Sequence, residues 1–520
     1  MTTTLALRTT VASPPVRRTL PVAVLGLAVL TVLLRLPYLA SPVSSDEAGF
    51  AMLARQWASG HGSLYGGFWV DRPPLLVALY ALADVGGLVG LRVLGCLAAA
   101  VTVLGVGLAV DHVSGRRPAA WAAAVACVGL SVPALGGVNV DGELLGVPFV
   151  AIGAWLLLRA VTTPAGAWPA VAAGACAAAA VLVKQNFVDV TVLAAVLAVA
   201  MRHRATLRLW LRFGAGGIAT ATLVLGGAAL LGTRPWGVLY AMYPFRFRAT
   251  ALLGREGFPG RGPHLLALAG SWATSLLPLL LLALLVAVVL RRTRHAPLGI
   301  ALLALAAYDL FSVAAGSSYW MHYLVQLVPV TAMAAGLVAP LRPGRLLTAV
   351  VLVLASLSYV AALPHRVQAP GVVVGRAIGD VAAPGDTLVS VFGGPEVAAT
   401  AGLDSPYRYL WSLPAHVLDP GAAGLGRLLA GPAAPTWLVV REGGTVAALA
   451  EGPAGSPLRT RYHLVDDLCG RLVYLRDDAD RGAPAAAVTD CRLPLSPYVG
   501  SLLGTPSSVS LERPRSRSVP

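Results

Sequence analysis

Charged residues are scarce in this chain. Asp, Glu, Lys and Arg make up 12% of its 520 residues, whereas soluble globular domains contain about 25%. Hydrophobic residues make up 57%, and the mean hydropathy is +0.74. These values exclude an ordinary soluble protein and predict a polytopic membrane protein. The net charge of +15 does not indicate a nucleic-acid partner, because the arginines form short clusters between apolar runs, as topology determinants do.

Metal and nucleotide motifs are also missing. The sequence has no CxxC pair, no HExxH motif and only scattered histidines, so spacing predicts no metal site, although a divalent metal stays open. It has no Walker A motif and no dinucleotide-binding glycine motif, so no nucleotide cofactor is expected. Of five cysteines, only Cys469 and Cys491 lie in polar sequence. They could form a disulfide if that region is exported, and the sequence leaves this open.

Apolar windows of about 20 residues, the length that crosses a bilayer core of ~30 Å, recur through the first two thirds of the chain. Eleven spans are predicted, near residues 19–40, 86–110, 118–136, 143–161, 168–183, 187–201, 213–232, 271–290, 297–316, 322–340 and 346–363. No small-residue cleavage site follows the first run, so we interpret it as an uncleaved span and not as a signal peptide.

Arginine clusters set the predicted orientation. They fill alternate connections, at residues 8–18, 116–117, 202–212, 291–294 and 342–345. By the positive-inside rule these connections are cytoplasmic, so the carboxylate-bearing loops face outward from the plasma membrane. The predicted organisation is a cytoplasmic N-terminus (1–18), a helical membrane domain (19–363) with outer loops at 41–85 and 233–270, an extracytoplasmic α/β domain (364–495) and a disordered tail (496–520).

The α/β prediction for the C-terminal region comes from three β-like runs between Gly and Pro turns. They are DTLVSVFGG (386–394), PTWLVVREGG (435–444) and RLVYLRDD (471–478). The fold class is therefore mainly α, a polytopic transmembrane bundle with a small outer α/β domain.

The first outer loop carries acids pressed against the membrane. Asp46 and Glu47 stand where a short helix should begin. Acids in a first helical turn complement the helix dipole, and Ser44 or Ser45 could be the N-cap. Capping does not require two acids beside hydrocarbon, so a carboxylate that accepts a proton from an attacking hydroxyl is the functional interpretation.

The same loop closes with Asp71, Arg72 and two prolines. The prolines could simply make a rigid start to a span, with Arg72 as an interfacial anchor. Alternatively, an Arg fork beside a membrane suits a pair of phosphate oxygens. The neighbouring Tyr65 and Trp69 could lie at the headgroup level or stack on a sugar. Asp71 is included with them as a substrate-binding candidate.

A second acidic loop contains Asp141 and Glu143, which are either an ordinary polar turn or acids held close to the bilayer. Lys184, the single lysine of the chain, lies between two apolar runs on the same side. It could snorkel to the interface, but its uniqueness suggests that a compact ammonium is needed there.

Outward basic and aromatic residues complete the candidates. Arg246 and Arg248 break the positive-inside trend and could bind a lipid phosphate, although a solvated loop is the alternative. Tyr319, His322 and Tyr323 begin the tenth span, where His322 could equally be a packed interfacial residue.

Several short stretches, taken in order, resemble the integral-membrane glycosyltransferases of the GT-C fold, in the bacterial branch related to protein O-mannosyltransferases and aminoarabinose transferases. They are Asp46-Glu47, DRPPL (71–75), NVDGE (139–143), LVKQN (182–186) and YWMHYLVQLVP (319–329). The resemblance covers roughly residues 20–363. It implies transfer of a sugar from a polyprenyl-phosphate carrier to an acceptor on the outer face, with inversion at the anomeric carbon.

The resemblance also implies roles. Asp46 would be the catalytic base or acceptor-orienting acid, with Glu47 beside it. Arg72, where such enzymes often have Lys, would hold the carrier phosphate. The charged cavity would be completed by Asp141, Glu143 and Lys184. The implied partners are the lipid-linked donor, membrane lipids and a protein, lipid or polysaccharide acceptor. The rival interpretations are a transporter or lipid flippase, and a non-catalytic assembly protein of the cell envelope.

Overall fold

The computed structural model describes residues 20–60, 63–163, 167–201, 206–256, 261–293, 295–363, 370–441, 449–486 and 491. The predicted cytoplasmic residues 1–18 and the predicted disordered tail 496–520 lie outside this part of the chain. The α-helices of the described residues are α1 (Val22–Arg35), α2 (Ser45–Ala58), α3 (Pro74–Ala83), α4 (Gly87–Ser114), α5 (Arg116–Gly129), α6 (Gly142–Thr162), α7 (Trp168–Val183), α8 (Asp189–Ala200), α9 (Leu207–Leu230), α10 (Pro235–Met242), α11 (Pro244–Glu256), α12 (Arg261–Thr274), α13 (Leu277–Val289), α14 (Ala296–Ala315), α15 (Leu327–Val338), α16 (Arg342–Ala362), α17 (Pro370–Gly379), α18 (Pro395–Ala401), α19 (Ser412–Leu418), α20 (Ala423–Ala430) and α21 (Gly455–Arg461). The 3₁₀ helices are Leu36–Tyr38, Asp84–Gly86, Pro133–Leu135, Met321–Gln326 and Pro420–Ala422.

Each of the eleven predicted windows contains an α-helix. Among the described residues, six helical stretches are long and apolar enough to cross a membrane: Pro74–Ser114, Gly142–Thr162, Leu207–Leu230, Ala296–Ala315, Met321–Val338 and Arg342–Ala362. Helices α12 and α13 would add a seventh span if the pair, bent by 59°, is counted as one. Helices α1, α7 and α8 are apolar but shorter. The chain is therefore a polytopic helical membrane protein.

Two stretches predicted as outer loops are largely helical. The span predicted to begin near residue 86 begins at Pro74, because α3 and α4 form one apolar stretch of 41 residues. The region 233–270 holds α10, α11 and most of α12. Prolines occupy the first turn of α3 and α10, where a missing N–H costs nothing.

Small residues let the membrane helices approach closely, as is usual in lipid. A Cβ at Gly105 of α4 would lie 2.8 Å from the backbone of Ala151 in α6. A Cβ at Gly174 of α7 would overlap the carbonyl of Phe213 in α9. The abundant Gly and Ala of the sequence therefore set the spacing of the bundle.

The C-terminal region contains a four-stranded sheet in the order β1-β2-β4-β3. The strands are β1 (Leu388–Ser390), β2 (Trp437–Arg441), β3 (Tyr462–Leu468) and β4 (Arg471–Arg476). Strands β1 and β2 are parallel, and the other pairings are antiparallel. The fully buried Trp437 anchors β2. Cys469, in the β3–β4 turn, forms a disulfide with Cys491, which answers the question that the sequence left open. The predicted fold class, a helical membrane bundle with a small C-terminal α/β region, is confirmed.

Candidate active site

The two adjacent acids of α2 have separate environments. Ser44 caps the helix, accepting from the Glu47 N–H while the Glu47 carboxylate accepts from the Ser44 N–H. Glu47 is fully buried, 2.9 Å from Nη2 of Arg92, and also accepts from the N–H of Val140 at 2.8 Å. Asp46 is only partly buried, and its Oδ1 accepts from Trp411 Nε1 at 2.9 Å. These contacts are typical of a structural residue, and the predicted catalytic role of Glu47 stays a prediction.

Buried arginines hold the second acidic loop against α2. Arg35 of α1 donates to the carbonyls of Leu130, Gly137 and Val138. Arg92 of α4 donates to the carbonyls of Val138 and Pro42 in addition to Glu47. Sequence reasoning missed both arginines. The available signal was a single Arg inside an otherwise apolar run, which in a membrane needs a partner.

The second acidic loop places two carboxylates beside Lys184 and His322. Asp141 caps α6, accepting from the N–H of Leu144 at 3.2 Å. Glu143 forms a buried ion pair with Lys184. His322 Nδ1 lies 3.4 Å from Asp141 Oδ2, and its Nε2 lies 3.7 Å from Glu143 Oε1. Burial, followed by the charge of Glu143, raises the pKa of Asp141 well above its usual range.

The segment from Lys184 to Asn186 connects several parts of the site. Lys184 is 4% exposed, and its Nζ lies 4.7 Å from the centre of the Tyr323 ring. Burial lowers the pKa of Lys184, while the charge of Glu143 opposes this shift. Gln185 donates to the carbonyl of Asp71 at 3.2 Å, and Asn186 donates to Gln326 at 2.9 Å. Snorkelling to the interface does not describe this buried lysine.

Asp71 holds two guanidinium groups side by side. Its Oδ1 lies 2.7 Å from Arg72 Nη1 and its Oδ2 lies 3.1 Å from Arg246 Nη1. Burial would raise the pKa of Asp71, but Arg246 and Arg72 together lower it below its ordinary value. Burial would likewise lower the pKa of Arg72, but Asp71, followed by Asp46 and Glu143, raises it. Arg72 therefore stands within the field of all three carboxylates.

The side chains brought together at this place form what we call the charged cluster. Its members are Asp46, Asp71, Arg72, Asp141, Glu143, Lys184, Arg246, His322 and Tyr323. It lies where α2, α3, α6, α7, α11 and the 3₁₀ helix Met321–Gln326 meet.

Other predicted residues lie elsewhere. Arg248 is exposed and donates to the hydroxyl of Tyr240 at 2.7 Å, so the structure does not bring it to the cluster. Trp69 is 5% exposed and packs on Phe245, with ring centres 4.4 Å apart, which leaves little of it to stack on a sugar. Tyr65 donates to the carbonyl of Arg72 at 2.9 Å and so fixes that loop. Tyr319 packs at the edge of the hydrophobic core.

Three side chains of the charged cluster are of metal-binding type. Asp141, Glu143 and His322 offer three donor atoms within 4.8 Å of one another, a set suited by type to zinc or manganese. However, the Glu143 oxygen that faces His322 also accepts a hydrogen bond from the ammonium of Lys184. A divalent ion would have to share that oxygen with a like charge. The arrangement therefore fits a metal poorly while Lys184 is charged.

Proteins of known structure share this fold. Neither a protein-family model nor a curated protein sequence matches the chain. The solved structure of ArnT from Cupriavidus metallidurans in the apo state matches with a TM-score of 0.58 and 15% identity, over 87% of this chain and 97% of ArnT. The fold is that of the GT-C membrane glycosyltransferases.

Further structures agree on the GT-C fold. ArnT bound to undecaprenyl phosphate matches with a TM-score of 0.57 and 16% identity, over 87% of this chain and 97% of ArnT. The oligosaccharyltransferase of Archaeoglobus fulgidus in complex with Zn and sulfate matches with a TM-score of 0.53 and 12% identity, over 87% of this chain and 73% of that chain. The GT-C likeness spans both the membrane helices and the C-terminal region.

Proposed function

We propose that this chain is a membrane glycosyltransferase that transfers a sugar from a polyprenyl-phosphate carrier to an acceptor hydroxyl on the outer face of the plasma membrane, with inversion. The supporting observation is the charged cluster, in which the partly buried Asp46 carboxylate lies within the field of Arg72 at the ends of membrane helices. ArnT, which shares the fold, has been solved with a polyprenyl phosphate.

The cluster offers both halves of an inverting displacement. Asp46 takes the proton of the acceptor hydroxyl as its oxygen bonds to the anomeric carbon. The bond from that carbon to the phosphate oxygen breaks, and the phosphate leaves with the electron pair. Arg72 and Arg246 stabilise the leaving charge, because each guanidinium has five N–H donors and Asp71 occupies only part of them. Lys184 adds a third cation nearby.

Asp71 gives this arrangement its pre-organisation. A carboxylate between two guanidiniums offsets their mutual repulsion and holds each of them on one of its two oxygens. Charge stabilisation by fixed groups costs no reorganisation during the reaction and is worth ~10² or more in rate. Asp71 is therefore a positioning residue in the proposal, not a ligand of the sugar.

A transporter is the second candidate, favoured by one observation. Asp309, in the C-terminal half of α14, and Asp189, in the first turn of α8, are 0% and 1% exposed. Buried ionisable groups within membrane helices mark ion paths in transporters. Here Gln326 donates to Asp309 at 3.0 Å and Asn186 donates to Gln326, so the pair extends the polar network beneath the charged cluster. This placement favours a supporting role in the glycosyltransferase.

Transfer from labelled polyprenyl-phosphate sugars to a cell-envelope extract tests the proposal in purified protein. Asp46→Asn should lower kcat by ~10² or more while donor binding is kept. Arg246→Ala should weaken donor binding. Arg248→Ala is the matched control, since it removes the same charge two residues away without touching Asp71. No transfer by wild type with any donor, or equal effects of both Arg variants, would contradict the proposal. Transfer unaltered in Asp46→Asn would remove Asp46 from its role.

A further inference from the structure

The C-terminal region reaches into the charged cluster through one side chain. Trp411, immediately before α19, donates from Nε1 to Oδ1 of Asp46 at 2.9 Å. Its ring also packs against Phe50 of α2, with ring centres 5.2 Å apart. Among the described residues, no side chain or backbone group donates a hydrogen bond to Oδ2 of Asp46. One carboxylate oxygen is thus held and the other is left for a substrate.

The segment around Trp411 is firmly attached to the first outer loop. The N–H of Trp69 donates to the carbonyl of Arg408 at 2.9 Å, and Arg408 Nη2 donates to the carbonyl of Tyr65 at 2.9 Å. Val417 of α19 packs with Phe245 in one buried cluster. These contacts fix the approach of the indole to α2 independently of Asp46.

Helix α2 has a glycine where the indole lies. A Cβ at Gly49 would overlap the six-membered ring of Trp411. Glycine inside an α-helix costs about 0.5–1 kcal/mol relative to alanine. The helix therefore gives up stability at the position that allows Trp411 to reach Asp46.

We propose that Trp411 is a positioning residue for Asp46, so that sugar transfer requires the C-terminal region to be docked on α2. This inference rests on the proposed function. The indole N–H fixes the rotation of the carboxylate and directs Oδ2 toward the acceptor. The ionisable groups that surround Asp46 include Arg72, Asp141, His322 and Tyr323 on the membrane helices and loops, and the Trp411→Phe substitution alters none of them.

Trp411→Phe tests this inference, because it keeps an aromatic ring and removes the N–H donor. We expect kcat to fall about 10- to 100-fold, as for loss of a hydrogen bond to a charged group, with the donor KM unchanged. Trp236→Phe is the matched control, since Trp236 on α10 is 71% exposed. In an Asp46→Asn background, Trp411→Phe should cause no further loss. A purely structural role would instead multiply the two losses.

Gly49→Ala provides a second variant that leaves Trp411 unchanged. It should lower kcat in protein that is still folded, because the new methyl group displaces the indole from Asp46, while the overlap with the packed ring lowers the midpoint of thermal unfolding. Wild-type kcat in either Trp411→Phe or Gly49→Ala would overturn the inference and leave the proposed function standing. Absence of transfer by wild type would overturn both.

Discussion

The adjacent acids Asp46 and Glu47 should respond oppositely to the same chemical change. Glu47 and Arg92 are 0% and 2% exposed, and their ion pair is 2.9 Å long. Removing one partner of such a buried pair costs about 3–5 kcal/mol. Glu47→Gln keeps an acceptor for the Val140 N–H, so we expect the lower end, about 3 kcal/mol. Activity per folded molecule should stay within a few-fold of wild type.

The assay measures thermal unfolding in detergent beside transfer normalised to folded protein. Asp46→Asn is the partner variant, since it neutralises a carboxylate one residue away that has no buried ion pair. It should unfold close to wild type and lose ~10² or more in kcat. A Glu47→Gln protein as stable as wild type but inactive would refute the structural assignment of Glu47.

Three further variants test other parts of the cluster. Asp71→Asn should unfold at a lower temperature than wild type at pH 7. Because Arg246 and Arg72 lower the pKa of Asp71 in the folded protein, this difference should persist at pH values above the unfolded-state pKa of about 3.9 and shrink as the pH falls below it. Lys184→Met should free the Glu143 carboxylate, so that Mn²⁺ or Zn²⁺ raises the unfolding midpoint of this variant. Wild type should show no such rise, and its transfer activity should survive EDTA. A metal-dependent rise in wild type would contradict the conclusion that the site fits a metal poorly while Lys184 is charged. Asp309→Asn should be near wild type in stability, because its amide oxygen can still accept from Gln326. Asp309→Leu should lose about 1–3 kcal/mol, because it removes this acceptor from the buried Gln326, and equal stability of the two variants would contradict this.

Much of the helical framework follows from the sequence because hydrophobic runs in a membrane have few alternatives. The acids, Arg72, Lys184 and His322 could be gathered from short motifs in polar loops. Strand β3 could not be recognised because His463, Asp466 and Asp467 interrupt its apolar residues. Trp411 was missed since its partner is 365 residues away.

The treatment of Asp46 and Glu47 as one pair had a different cause. Successive residues of an α-helix point about 100° apart, so two adjacent acids at a helix start cannot face the same cavity equally. Helical geometry alone could have separated them. Which of them faces Arg92 depends on how α2 packs on α4, and this information is not local.

The hydrogen bonds from Arg35 and Arg92 to the second acidic loop have a consequence for biogenesis. Arg92 lies in a membrane span, yet its carbonyl partner Val138 is 46 residues further along the chain. At about 5–20 residues per second, ribosomes need roughly 2–9 s to cover that distance. During this interval the guanidinium must be shielded by Glu47 and by the insertion machinery. The first helices are therefore expected to remain beside the translocon until the loop at residues 137–140 has been made.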